Sequence, residues 1–319
     1  MKGIKISHNG EPQKKGTVWS ATLNGKREII LGITQPFEDA DGKHLGLGVG
    51  GSQVKKIPQI KYDRHTAETE WGLWAHFLWP TVVAESYGGY HMIVNSYDRA
   101  RFTFGFYQLA AHTPGDNLII LFRELLALAK ALDYFPDLKL DNGKVTQIVG
   151  SGSLDLEKVT LVQRPDKKKT KEKQLLDFMK YFNPDDKAME QTEAMRTAQL
   201  AYWLEDDPEE IAAAVRVPFR IMLRKVKSAA TAYGLTGMRP ELAIWVSDIT
   251  HQGRGGPAAI KAALKKKTFD GQYEALRAIG SGNSKYDGRR KTVHGCIQTI
   301  VKEKKFDGVE FGKGKLKLP

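Results

Sequence analysis

The sequence predicts an α+β protein, mainly helical, with a small β-rich module at its N-terminus and a short hairpin sheet further along. Three observations predict this class. Residues 1–60 are rich in Gly and Lys and hold short β-type runs. From Thr66 onward, Trp71, Trp74, Phe77 and Leu78 fall at spacings that line one face of a helix. Between about 88 and 108, aromatics crowd together with turn chemistry at Gly88-Gly89 and Asn95-Ser96, the mark of a hairpin.

Taken in order, the β-type runs are Thr17 to Leu23 and Glu28 to Ile33, with Asn24-Gly25 between them as a hairpin turn. Glycines 46, 48 and 51 happen to fit GxGxxG, but Pro58 and lysines stand where a helix should open, so no nucleotide loop is expected. Pro80 should kink or divide the helix that begins at Thr66. Pro114, Gly115 and Asp116 predict a stop, with Asp116 as the N-cap of an apolar helix reaching about Asp133. Residues 136–175 look like an insertion, with a turn at Asp141-Asn142-Gly143, strands at Val145 to Val149 and Val159 to Val162, and a solvated Lys-rich run from Asp166 to Lys173. Helical patterns then cover Lys173 to about Tyr181, Asp186 to Leu204, Pro208 to Tyr233, and Arg239 through Pro257 to Lys267. The expected division is therefore a module at 1–60 and one domain at 61–319.

Composition bounds the function. The chain has 319 residues, 41% apolar and 27% charged, which suits an ordinary globular protein. Its longest apolar run, Leu118 to Leu132, is broken by Arg123, Glu124 and Lys130 and falls short of the roughly 20 residues that span a bilayer. The N-terminal Met1 to His8 has basic residues but no apolar core behind them, so synthesis in the cytoplasm without a Sec-type signal is expected. A single cysteine, Cys296, allows no intrachain disulfide and reads as an inert thiol. With 49 Lys and Arg against 37 acids, the net charge of +12 favours a polyanionic partner. There is no HExxH, paired-cysteine site, P-loop or GxSxG elbow, so the reading calls for no metal and no cofactor.

Two acids carry the chemistry. Glu85 closes an apolar helical segment beside Trp79, Val82, Val83 and Tyr87, surroundings that should desolvate its carboxyl and raise its pKa. Asp98 lies between Tyr97 and Arg99, with Arg101 nearby, and that positive charge should keep it ionised. One protonated and one ionised carboxyl are what cleavage of a glycosidic bond requires. Thr103 adds a hydroxyl able to hold a water.

Asp98-Arg99-Ala100-Arg101-Phe102-Thr103-Phe104-Gly105 resembles the Asp-Gly-Arg-Gly-Tyr-Thr-Ala-Gly run of family-46 chitosanases, with Asp, Thr and Gly in register and the arginine displaced, so that Arg99 or Arg101 takes its place. Glu85-Ser86 and Gly105-Phe106-Tyr107-Gln108-Leu109 are similar to the Glu-Ser and Gly-Leu-Met-Gln-Leu motifs of lytic transglycosylases and goose-type lysozymes. Ala243 to Gly253 resembles a chitosanase helix, and Tyr286-Asp287-Gly288-Arg289-Arg290 a Gly-x-x-x-Arg-Arg element of phage-type lysozymes. The resemblance implies a two-lobed, lysozyme-like glycosidase in which Glu85 is general acid, Asp98 general base and Thr103 the residue that steers water. Arg101, Tyr97, Gln108, His112, Asp116, Asp248 and His251 would line or brace the groove, and Tyr87, Tyr90, Phe102 and Tyr107 would stack on sugars or pack the hairpin.

Bacterial peptidoglycan is the expected substrate, since a basic surface suits an anionic wall. The glycan strands are then the partner, reached by a non-Sec route such as phage lysis or an antibacterial secretion system, with a delivery protein or an immunity protein as further partners. Chitosan on the same fold is one alternative. A non-catalytic basic protein that binds nucleic acid or a phage structural partner is the other, nucleic acid being disfavoured by the glycosidase reading.

Overall fold

The computed structural model describes residues 3–39, 42–49, 61–90, 95–163 and 170–318, and it confirms the mixed α and β character of the chain. Two compact units divide it. Unit 1 comprises Met1–Ile60 and Gly89–Pro218, and unit 2 comprises Lys61–Gly88 and Phe219–Pro319. Residues 1–60 therefore do not stand alone, and the expected single domain at 61–319 is split.

In unit 1, β1 (Ile4–Asn9), β2 (Val18–Leu23), β3 (Arg27–Asp39) and β4 (Gly42–Gly48) form an antiparallel sheet in sequence order. Asn24 and Gly25, with φ of 52° and 68°, make the β2–β3 turn that the sequence predicts, because both positions require the left-handed region. After the sheet, α1 (Arg64–Trp71) and α2 (Trp74–Ser86) belong to unit 2. Back in unit 1, β5 (Thr103–Phe104) and β6 (Leu109–Ala110) form the small predicted hairpin, with Asn95 bridging to Thr103. The part of that segment at 91–94 lies outside the described residues, as do Gly51 and Pro58 and much of the Lys-rich run.

The expected helix up to Asp133 is shorter and differently capped. Helix α3 (Leu118–Leu125) starts from Asn117, while Asp116 accepts the Asn117 N–H at 2.7 Å from one position too early to be the cap. A separate turn, α4 (Ala131–Tyr134), follows. The insertion holds β7 (Leu138–Asp141), β8 (Lys144–Val149) and β9 (Gly152–Asp155) in one sheet, and β10 (Thr160–Gln163) with β11 (Lys171–Gln174) in another. Asn142-Gly143 turns β7 into β8 as expected, both residues at positive φ. Helices α5 (Leu176–Phe182) and α6 (Gln191–Asp206) complete the layer. Helix α6 lies along the four-stranded sheet and is bonded to it at both ends, Glu193 to Leu47 N–H at 2.8 Å and the Tyr202 hydroxyl to the Ala21 carbonyl at 2.7 Å. This packing is why the N-terminal strands join unit 1. The core is aromatic: Phe102 stacks on Phe182 at 4.3 Å, and Phe122, Phe135, Phe178 and Trp203 are fully buried around them.

The boundary between units falls within α7 (Pro208–Tyr233), at Pro218. Unit 2 is helical, adding α8 (Pro240–Gln252), α9 (Pro257–Leu264), α10 (Phe269–Ala278) and α11 (Asp287–Lys302). At its centre is α2, apolar almost all round and packed by α1, α8 and α11. Gly72, at φ 54°, separates α1 from α2, whereas Pro80 sits inside α2 without ending it, so that of the kink or division expected at Pro80 the division does not occur. The helix expected from Arg239 to Lys267 is two, because Gly253 at φ 68° closes α8 and Pro257 opens α9. No helix among the described residues is long and apolar enough to cross a membrane.

Candidate functional site

Glu85 lies in the last turn of α2. Its carboxylate is met by His251 Nε2 at 2.8 Å, from the last turn of α8, and by Arg289 Nη1 at 2.6 Å, from the first turn of α11. Arg289 turns its other face to Asp248, with Nε and Nη2 at 3.0 and 2.7 Å from Oδ1. Asp248 is wholly buried and is also bonded by Arg254, with the Thr81 hydroxyl at 3.4 Å. Three helices, with Arg254 just beyond the end of α8, thus supply one chain of alternating charge, Glu85, Arg289, Asp248 and Arg254, with His251 at its outer end.

These surroundings reverse the expected ionisation of Glu85. Burial pushes its carboxyl up, but the His251 hydrogen bond and the Arg289 charge outweigh that and hold it down at about 2. The apolar neighbours on its own helix do not set its charge; what the side chain faces does.

The pKa of Asp98 is likewise shifted opposite to the direction expected. It opens a turn in unit 1, its Oδ1 accepting the Ala100 N–H at 2.9 Å and its carbonyl the Arg101 N–H at 2.9 Å. Burial raises its pKa, only partly offset by that N–H and by the charges of His112 and His44. The flanking arginines that were expected to keep it ionised have other partners. Arg99 Nε is 2.5 Å from Asp39, and Arg101 pairs with Asp186 at 3.0 Å.

The remaining predicted residues of unit 1 form a hydrogen-bonded frame around the hairpin. The Thr103 hydroxyl, 3.1 Å from the Asn95 carbonyl and from Gln108 Oε1, is committed to that frame instead of presenting itself to a water. Gln108 also accepts from Asn95 Nδ2 at 2.7 Å and donates to the Gly105 carbonyl at 2.9 Å, locking the β5–β6 turn. Burial lowers the pKa of His112 and raises that of Tyr97. Phe102, Tyr107 and Tyr90 are buried and pack, while Tyr87, two residues from Glu85, is 48% exposed.

The structure thus brings Glu85, Asp248 and His251 together in unit 2 and places Asp98, Thr103, Arg101, Tyr97, Gln108, His112 and Asp116 in unit 1. Sequence reasoning missed Arg289 and Arg254 as partners. Arg289 stood in a quoted motif, but nothing in its local sequence points it at Glu85.

Cys296 is buried, and burial pushes its thiol up to about 11, as an inert thiol requires. Among the described residues, the one grouping with ligand atoms close enough for a metal is His65, Glu68 and His76, all within 4.8 Å. Two cations already occupy it. Arg64 Nη1, a donor, lies 3.2 Å from His76 Nδ1, which places the ring proton on Nε2 facing Glu68, and Lys305 sits 2.7 Å from the same Glu68 oxygen. The group therefore works as an ion-pair network and does not fit a metal. A groove of about 620 Å³ lies over β1 to β3, lined by Ser7, His8, Asn9, Arg27 and Glu205 among others, and holds none of the predicted site residues. A smaller one in unit 1, about 120 Å³, includes Arg101 in its lining with His44, Arg99, Glu172 and Asp186.

No family model, curated protein or solved structure matches the chain. The functional reading therefore rests on the chemistry of these residues.

Proposed function

We propose that this chain is a lysozyme-like glycosidase that cleaves β-1,4 linkages of an amino-sugar polymer, bacterial peptidoglycan in preference to chitosan, with Glu85 as proton donor. The observation that carries the reading is Glu85 itself, a carboxyl at the end of a buried apolar helix on which His251 and Arg289 converge. Support for the substrate comes from charge, since a protein of +12 attracts an anionic wall and repels cationic chitosan.

Glu85 rests as a carboxylate, so it must take up a proton before it can donate one. A sugar that covers it removes its remaining water, which favours the neutral form. Arg289 can release Glu85 cheaply, because its Nε and Nη2 stay on Asp248 and no buried charge is stranded. Once the proton has passed to the glycosidic oxygen, the carboxylate left behind is the form that Arg289 and His251 stabilise. That makes a loaded Glu85 a strong acid. Asp98 is the base of this reading, and its raised pKa requires a higher pH for it to act. The resting charge of Glu85 also favours the second reading, a basic binding protein without catalysis.

Purified sacculi and, separately, chitosan are incubated with wild type and Glu85→Gln, and the released fragments are identified by mass spectrometry. Reducing ends on muramic acid are expected from wild type and none from the variant. Anhydro-muramic ends would mean a transglycosylase, and glucosamine oligomers a chitosanase. Undiminished release by Glu85→Gln, or no release by wild type, overturns the proposal, and salt-dependent retention on DNA without release supports the binding protein.

A further inference from the structure

We infer that Glu193 is a positioning residue that holds the segment Asn95 to Asp98, and with it Asp98, in place through a buried acid. The inference deepens the glycosidase reading and rests on it only for what Asp98 does.

Glu193 stands in the first turn of α6 and is fully buried, as are Ser96 and Asn183. Its Oε1 accepts the Leu47 N–H at 2.8 Å and is bonded by the Ser96 hydroxyl. That hydroxyl oxygen also accepts the Leu47 N–H at 2.7 Å, and the Ser96 N–H donates to the Leu47 carbonyl at 2.9 Å. Asn183 Nδ2, just beyond α5, donates to the Ser96 carbonyl at 3.0 Å. Ser96 is thus gripped from strand β4, from α6 and from the end of α5, two residues before Asp98.

The glycines of β4 make the grip possible. A Cβ at Gly46 would fall 2.6 Å from Ser96 C and Tyr97 N, and one at Gly48 would fall 2.8 Å from the Tyr97 ring. These are two of the glycines in the chance GxGxxG match, and their role is to let the 96–97 backbone press onto the strand.

The clamp is built for a neutral acid. Glu193 Oε2 is buried and has no hydrogen-bond partner. The charge that reaches the group, Glu190 at the start of the same helix, repels a carboxylate. Among the described residues, the groups bonded to it are the Leu47 N–H of β4 and the Ser96 hydroxyl, both neutral, and the Asn183 amide reaches it only through the Ser96 carbonyl. Burial accordingly pushes Glu193 up to about 8. Ionisation above that pH places an uncompensated charge in the clamp, which only entry of water relieves, and the segment loosens.

Hydrogen exchange at the Leu47 and Ser96 amides, corrected for the intrinsic pH dependence, tests this on the full-length protein between pH 6 and pH 10. Wild type is expected to lose at least tenfold protection at these two amides as pH passes about 8, while amides in α3 keep theirs. Glu193→Gln, whose carbonyl keeps both bonds and whose amide cannot ionise, is expected to hold its protection across the range. In parallel, kcat on sacculi should fall above the same pH in wild type and persist in Glu193→Gln. Unchanged protection in wild type, or the same loss in Glu193→Gln, overturns the inference. The exchange result stands whether or not the chain proves to be a glycosidase.

Discussion

The shifted carboxyls of the two units move in opposite directions. In unit 2, Asp63, Glu68, Glu85 and Glu303 are all displaced below their ordinary values. In unit 1, Asp98, Glu193 and Glu210 are all displaced above theirs. Burial and charge supply together explain the difference: Asp63 and Glu303 are exposed and Glu68 half-buried, whereas Glu193 and Glu210 are fully buried. Unit 2 carries 23 Lys and Arg against 12 acids, and unit 1 carries 26 against 25, so nearly all of the net +12 belongs to unit 2. In unit 2 a cation reaches most of these carboxylates, Lys305 for Glu68, Arg64 for Glu303 and Arg289 for Glu85, and Asp63 is held instead by the His65 N–H and the Thr66 hydroxyl. In unit 1 the arginines near Asp98 are committed to Asp39 and Asp186, and both oxygens of Glu210 are buried without a hydrogen-bond partner. The lesson is that net charge matters locally, through which acids it reaches.

The sharpest way to break this comparison is to remove one cation. Arg289→Met leaves Glu85 and Asp248 short of their shared partner and should cost about 3–5 kcal/mol in denaturant unfolding, the usual penalty for halving a buried ion pair. Asp98→Asn, which keeps the acceptor for the Ala100 N–H, should cost less than about 1 kcal/mol. Equal costs would mean that the two acids are not held differently.

Next in size is the response to pH. Glu85 has a lowered folded pKa, so its contribution is present above its unfolded value of 4.5 and is lost as pH falls toward about 2. The shift is worth on the order of 3 kcal/mol. Glu193 has a raised pKa, so the folded state is favoured at low pH and loses that advantage as pH rises from 4.5 through about 8. Peptide-level hydrogen exchange should therefore show unit 2 weakening first in acid and unit 1 first in alkali. Glu85→Gln should flatten the acid limb and leave the alkaline one unchanged.

A smaller effect is expected at the buried acid that has no partner. Glu210→Gln removes an ionisable group from a site that disfavours its charge, and should raise the melting temperature more at pH 8 than at pH 5. An equal shift at both would show that its ionisation does not matter to folding.

The smallest effect concerns long-range charge. Reversing Lys265, Lys266 and Lys267 to Glu in unit 2 should lower the salt needed to elute the protein from a polyanionic column more than the same number of reversals in unit 1. Equal shifts would show that the polyanion ignores the uneven charge.

Local chemistry was legible in the sequence wherever a single turn or period decides the backbone. Asn24-Gly25 and Asn142-Gly143 turn their hairpins because only such residues accept positive φ, Pro208 to Tyr233 is the helix its pattern predicts, and Glu85 ends an apolar helix as read. Pro80 does not divide α2, because the helix is buried on nearly all sides and packing outweighs the loss of one hydrogen bond. Asp248 and His251 were named as braces, but the arginine that links Asp248 to Glu85 was not. Only the tertiary structure decided the charge of each acid. Ionisation depends on which groups face a carboxyl in space, and Arg289 lies 204 residues from Glu85 along the chain while Arg99 lies beside Asp98 and binds Asp39.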